Sequence, residues 1–221
     1  LSTDRKLLLP DSGQLDPLVE EWTRGTPIIR CHNVELGATE FNPGFGKGRF
    51  HPFSDLAGQA VATLYGAGSI EGTLSETVFH DVPVRGPMRR IRASSLRPLV
   101  VSTLIAKRTL RLVQLHTNGL RRLQVSRAET IDGGSRTYGA TALWAQALHR
   151  CREDLDGFVW ISRLHDTSRA IVLFGDRVLR ADLGVVESPI PLFSGRGLRK
   201  VRQAAEESGI TIVIQSGTGY E

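Results

Sequence analysis

Apolar residues along this chain recur with two different periods, which predicts a mixture of strands and helices. Pro27-Ile28-Ile29-Arg30-Cys31 is a short apolar run opened by proline and reads as a strand. Residues 60–64 predict another, ending at Tyr65-Gly66, and 88–92, 99–105 and 110–115 predict three more. Further strands are expected at 157–162, 169–174 and 210–214. Ile70, Leu74 and Val78 recur every four residues, so 70–80 should be a helix, with Ser69 as its cap. Other helices are expected at 117–127, 138–148 and 198–208, the last ended by Gly209. Residues 1–26 read as a loosely packed arm with one short helix near 15–23. With no repeat, linker or low-complexity tract, the expected fold is one compact α+β domain over 27–221, preceded by that arm.

Between the first two strands lies a long stretch, 33–58, rich in Gly and interleaved with Phe41, Phe45, Phe50 and Phe53. Long loops in compact domains tend to carry function. This one contains Gly44-Phe45-Gly46-Lys47-Gly48-Arg49-Phe50. Glycines let a backbone approach a ligand closely, and a guanidinium holds phosphate in a two-pronged fork. The loop is neither a Walker loop, since Gly48 follows Lys47, nor a dinucleotide fingerprint, since its spacing is G-x-G-x-G.

The chain has 221 residues, with a net charge of +5 and a pI near 9.7. Basicity favours an anionic partner, whether nucleic acid, a phosphate-rich metabolite or an acidic protein. Only Lys6, Lys47, Lys107 and Lys200 are lysines; the other cations are arginines, suited to bidentate anion contacts. Cys31 and Cys151 are far apart and suggest two buried thiols in a reducing cytoplasm, not a disulfide framework or a zinc cluster. The histidines show no metal-ligand spacing. No apolar run is long enough to span a membrane, and residues 1–9 do not read as a signal peptide.

Five positions draw attention in order, with His80 beside one of them. Arg30 sits in an apolar strand, where a cation needs a carboxylate or a ligand phosphate. Arg49 follows the glycines. Tyr65, at a strand end, either packs an edge or flanks a ligand. Glu76 lies about 200° around the helix from Leu74, so it points into solvent or lines a cleft. His80, one turn on, either tunes Glu76 or caps the helix. Ser162 ends a strand without a nucleophile elbow.

Together with their surroundings, these positions carry a resemblance. Gly48-Arg49-Phe50-His51-Pro52, Thr63-Leu64-Tyr65-Gly66-Ala67 and Ser75-Glu76-Thr77-Val78-Phe79-His80-Asp81 are similar to the front half of RES domains. Ser135-Arg136-Thr137-Tyr138-Gly139, Asp156-Gly157-Phe158-Val159-Trp160-Ile161-Ser162-Arg163 and Ala170-Ile171-Val172-Leu173-Phe174 resemble the back half. The resemblance implies a fold like that of ADP-ribosyltransferases and a bacterial toxin that consumes NAD as substrate, without a metal or resident cofactor. It implies Arg30, Arg49, Tyr65 and Ser162 as NAD-binding residues, and Glu76, Arg49 and Tyr65 as catalytic ones. It also implies an antitoxin partner, usually with a DNA-binding region, in an oligomeric complex. The segment between Glu76 and Ser162 is long, with an arginine-rich part near 85–127.

Cleaving the nicotinamide–ribose bond builds positive charge on the ribose, which a carboxylate stabilises. The acceptor then sets the reaction: water for a glycohydrolase, inorganic phosphate for a phosphorylase, a protein side chain for an ADP-ribosyltransferase. The rival classes are a non-enzymatic nucleic-acid-binding module resting on the basic segments 85–92 and 107–127, and a ribonuclease-type toxin. Against the first stands the absence of any helix-turn-helix, zinc or RNP signature, and against the second the lack of paired histidines.

Overall fold

Four of the most apolar runs lie side by side at the centre of a nine-stranded sheet in the computed structural model, which describes residues 15–214. The strands are β1 (Val19–Trp22), β2 (Pro27–Asn33), β3 (Thr63–Ala67), β4 (Arg90–Arg92), β5 (Leu99–Ala106), β6 (Leu110–Gln114), β7 (Gly157–Ile161), β8 (Arg169–Phe174), β9 (Leu183–Val185), β10 (Ile190–Pro191) and β11 (Thr211–Val213). The sheet order is β1-β6-β7-β8-β3-β2-β5-β10, with β9 also on β5. Only β6 and β7 pair in parallel within it. A separate parallel pair joins β4 to β11. The helices are α1 (Ile70–Thr77), α2 (Thr117–Arg122), α3 (Arg127–Thr130), α4 (Tyr138–Cys151) and α5 (Gly195–Glu207). No helix among the described residues is long and apolar enough to cross a membrane.

Strand alternation divides the core. On one face, Leu64, Leu104, Leu112, Val159, Ile171 and Leu173 pack with Trp22 and Phe41 under loops. On the other face there are two separate clusters. Phe50, Phe158, Trp160, Val172 and Phe174 pack under Trp144 and Leu148 of α4. Leu74 of α1, Val101, Val201 and Ala205 of α5 form the second. The middle strands thus lie between two helical groups, and the gap between those groups is where a ligand cleft can form.

Some expectations are corrected. The short helix expected near 15–23 is β1, because residues 19–22 complete the edge of β6 in register with 110–113 while Trp22 fills the core. The helix expected at 117–127 breaks in two. Gln124 adopts a left-handed φ of 54°, and Ser126 then starts α3 with a capping box to Glu129. The short strands β9 and β10 were not legible in the pattern. Cys31 and Cys151 are free, and both are only partly buried. Residues 1–14 of the expected arm lie outside the described residues.

Candidate active site

Four neighbouring strands supply the floor of a cavity of about 550 Å³: Trp160 of β7, Ala170 of β8, Tyr65 and Gly66 of β3, and Cys31 of β2. One wall is α1 and the turn after it, with Thr73, Glu76, Thr77, His80 and Asp81. The opposite wall is the glycine-rich loop, with Lys47, Gly48, Arg49 and His51, together with Ser135 and Tyr138 at the start of α4. Sharing Lys47, His51, Ser135 and Tyr138, a second cavity of about 430 Å³ continues outward past Pro52, Leu143 and Gln146.

Each wall is held by local chemistry. Ser69 caps α1 by accepting from the Gly72 amide at 3.0 Å, and Thr73 donates to the Ile29 carbonyl of β2 at 2.8 Å. Gly72 lets the helix lie close against Ser168, because a Cβ there would fall 2.0 Å from the Ser168 hydroxyl oxygen. Thus Leu74 faces the core and Glu76 faces the cavity. On the other wall, Phe50 takes a left-handed φ of 71°, unfavourable for a side chain with a Cβ. Its ring, 1% exposed, packs edge-on against Phe158 and Trp160 at 5.2 and 5.5 Å and offsets that strain. Tyr65 donates a hydrogen bond to the Arg49 carbonyl, tying loop to sheet. Burial raises the Tyr65 phenol well above its usual range, so it remains a neutral donor.

Arg49 is 6% exposed. Its Nη1 donates to the carbonyls of Thr130 at 3.0 Å and Gly133 at 3.2 Å, and its guanidinium lies 5.8 Å from the Tyr138 ring centroid. Its Nη2 is buried with no hydrogen-bond partner among the described residues. Burial lowers the Arg49 pKa, and the Glu76 carboxylate is the strongest influence pulling it back. Glu76 in turn has a buried Oε1 without a hydrogen-bond partner among the described residues. A buried polar atom left unpaired costs about 1–3 kcal/mol, more when charged. Two residues of opposite charge thus line the cavity, each with hydrogen-bonding capacity unused among the described residues. Beside them Tyr138 and His80 make a 3.2 Å hydrogen bond, and His80 meets Asp81 at 2.9 Å through its other ring nitrogen. Burial pushes the Cys31 thiol up to about 11, so it is a neutral part of the floor.

Of the five positions singled out in the sequence, Arg49, Tyr65 and Glu76 meet at this cavity, whereas Arg30 and Ser162 do not line it. Arg30 alternates with Cys31 and points to the opposite face of the sheet, beside Ile28. There Nη1 donates to the carbonyls of Ala38 at 2.7 Å and Gly37 at 3.4 Å, and burial pushes its pKa down to about 10. Ser162 is fully buried, and its hydroxyl accepts from the Leu164 amide at 3.2 Å. Its own amide bonds Ser168, whose hydroxyl meets that of Ser69, so Ser162 organises the turn on which α1 rests. His80, read as tuning Glu76 or capping the helix, instead bonds Tyr138 and Asp81.

Lys47, His51, Tyr138 and Trp160 were not singled out, yet all line the cavity. Their signal was present: each falls inside, or beside, a segment that carries the family resemblance.

Comparison with known proteins agrees with the architecture. A chain of the M. tuberculosis MbcT–MbcA toxin–antitoxin complex superposes with a TM-score of 0.59 at 14% identity, covering 85% of this chain and 92% of that one. The shared fold is a mixed α+β domain. No curated protein sequence matches significantly. Residues 27–192 match the RES domain, a span that includes all of Arg30, Arg49, Tyr65, Glu76 and Ser162, and the chain belongs to the RES-domain family.

Proposed function

We propose that this protein is the toxin of a bacterial toxin–antitoxin pair, and that it destroys NAD by cleaving the nicotinamide–ribose bond. The observation that carries this reading is that Arg49 and Glu76, each with a buried polar atom unpartnered among the described residues, line one cavity. NAD has complementary features: an anionic pyrophosphate for the guanidinium and a ribose that becomes cationic for the carboxylate. Two contiguous cavities of about 550 and 430 Å³ suit a two-part ligand better than a small metabolite.

In this reading Arg49 and Lys47 hold the pyrophosphate, and Tyr65 and Trp160 flank the nicotinamide and its ribose. The C–N bond breaks with its electron pair leaving on nicotinamide, which departs neutral. Glu76 stabilises the oxocarbenium-like ribose, and the acceptor then adds to the anomeric carbon. Water, inorganic phosphate and a protein side chain differ only in that last step. Arg30 and Ser162 act through the sheet and the α1 turn, without touching ligand. The antitoxin would occupy the cavity mouth in an oligomeric complex in the cytoplasm, where NAD is plentiful.

The test is NAD loss by the purified protein with and without inorganic phosphate, with products separated by chromatography. ADP-ribose identifies a glycohydrolase, and a phosphorylated ADP-ribose a phosphorylase. Label transferred to protein from labelled NAD identifies an ADP-ribosyltransferase. NAD that stays intact in all three arms removes the proposal.

A further inference from the structure

The arginine-rich segment singled out near 85–92 takes no part in the cavity, and the fold joins it to a second basic element. Strand β4 pairs with β11, directly after α5. Within β4, Ile91 packs against the cluster that holds Leu74 and Val201, so Arg90 and Arg92 face outward. In α5, Gly197, Val201, Ala204 and Ala205 are buried, leaving Arg196, Arg199, Lys200 and Arg202 exposed. Arg97 lies over the Phe193 ring at 4.1 Å, just ahead of α5, and Arg89 donates to the Ser208 carbonyl just after it.

Residues 82–99 and 186–214 together hold nine cationic side chains and three acidic ones. That excess of six is larger than the +5 of the whole chain, so the rest of the protein is close to neutral. Most of these cations also form no ion pair among the described residues. Elsewhere several exposed arginines are neutralised, as in Arg111–Asp154, Arg122–Asp16 and Arg169–Glu20, while Arg24, Arg121 and Arg136 stand singly without an ion pair among the described residues. Here one ion pair is formed, Arg196–Glu187 at 2.7 Å, while Arg85, Arg90, Arg92, Arg199, Lys200 and Arg202 have none among the described residues. The charge order along α5 opposes its dipole: cations fill the first two turns and Glu206 and Glu207 the last. That order lowers helix stability, so helix formation does not account for it.

We propose that the outer face of β4 and α5 binds the phosphate backbone of double-stranded DNA. Charge complementarity selects a polyanion, and guanidinium forks suit phosphate. The face exposes no aromatic ring, Phe193 being partly buried under Arg97, which argues against single strands held by base stacking. Helix α5 is about 20 Å long, enough to follow roughly six base pairs of backbone. The contacts are to phosphate, so binding is independent of base sequence. Helix α1 stands between this face and the cavity, with Leu74 turned to one and Glu76 to the other, so both can be occupied together. The inference does not depend on NAD chemistry.

The test is fluorescence anisotropy of the full chain with a labelled mixed-sequence DNA duplex of about 25 base pairs, across a salt series. Binding should weaken steeply with salt. Arg199→Glu with Arg202→Glu, and separately Arg90→Glu with Arg92→Glu, should each reduce affinity at least about tenfold and flatten the salt slope by about two. Arg24→Glu with Arg121→Glu alters net charge equally at exposed positions elsewhere and should change affinity far less. Circular dichroism melting confirms that each variant is folded, and Gln replaces Glu in any that is not. The proposal is overturned by no binding at low salt, by equal losses in all three variants, by tighter binding of a single strand or an RNA duplex, or by equally effective competition from polyglutamate.

Discussion

Arg49 and Glu76 line one cavity from opposite walls, and each keeps a buried polar atom without a hydrogen-bond partner among the described residues. Their charges influence each other: the Glu76 carboxylate counters the fall that burial imposes on the Arg49 pKa. Glu76→Gln keeps the size and removes the charge. It should lower NAD turnover about 10²–10³-fold while leaving the melting temperature nearly unchanged. Wild-type turnover by the folded variant would show that the carboxylate is not the electrostatic partner of the reacting ribose.

Arg49 lines the cavity and Arg30 lies on the opposite face of the sheet, so their substitutions should have different effects. Arg49→Ala should weaken NAD binding, and Arg49→Lys should recover only part of it, because an ammonium cannot fork a phosphate. Arg30→Ala should instead lower stability by about 1–3 kcal/mol, since the Gly37 and Ala38 carbonyls lose their donor. Its folded fraction should bind NAD as the wild type does. Calorimetric titration on the Glu76→Gln background, alongside denaturant melts, distinguishes the two; an affinity loss in stable Arg30→Ala returns that residue to the site.

Phe50 anchors the loop that carries Arg49. Phe50→Ala should cost about 3–5 kcal/mol, as for other buried aromatic truncations, reduced by whatever backbone strain it relieves. Activity should fall beyond the loss of folded protein, because the loop bearing Arg49 is released. Turnover that scales only with folded fraction would separate loop position from function.

The carboxylate of Asp176 supplies a pH dependence. Burial alone would raise its pKa, but the 2.8 Å hydrogen bond and charge of His149 bring it below the usual value. A depressed carboxylate stabilises the fold above its unfolded pKa, and this contribution is lost as pH falls through the folded pKa. The loss therefore begins below about pH 4 and continues downward. Asp176→Asn should flatten that acid limb of the melting-temperature profile. An unaltered limb would mean that other groups set it.

Asp156 is buried and accepts two hydrogen bonds from Arg108, at 2.6 and 2.8 Å, and one from the Arg111 amide. Arg108→Ala leaves that carboxylate short of its counter-charge and should cost about 3 kcal/mol, read from chemical denaturation. A near-neutral result would indicate that the Arg111 amide and water suffice.

Periodicity alone was enough for most of the strands and for the helix bearing Glu76, because those runs are long, strongly apolar and begin with clear caps or breakers. It was also enough to turn Glu76 away from the core stripe, since helical angle is a local property. Position in an apolar strand marked Arg30 as a residue needing a partner, but not on which side. Sheet register decided that: pairing of β2 with β3 and β5 sends Cys31 toward the cavity and Arg30 to the far face. Strand β1 was hidden because its partner, β6, is about ninety residues away, and pairing at such separation leaves little local signal. The cavity itself exists only as a gap between two helical groups packed on one face of the sheet. Likewise β4 and α5, about a hundred residues apart, become one basic surface only when β11 pairs with β4. Local pattern determines most of the elements; non-local pairing decides the rest, and which side chains meet.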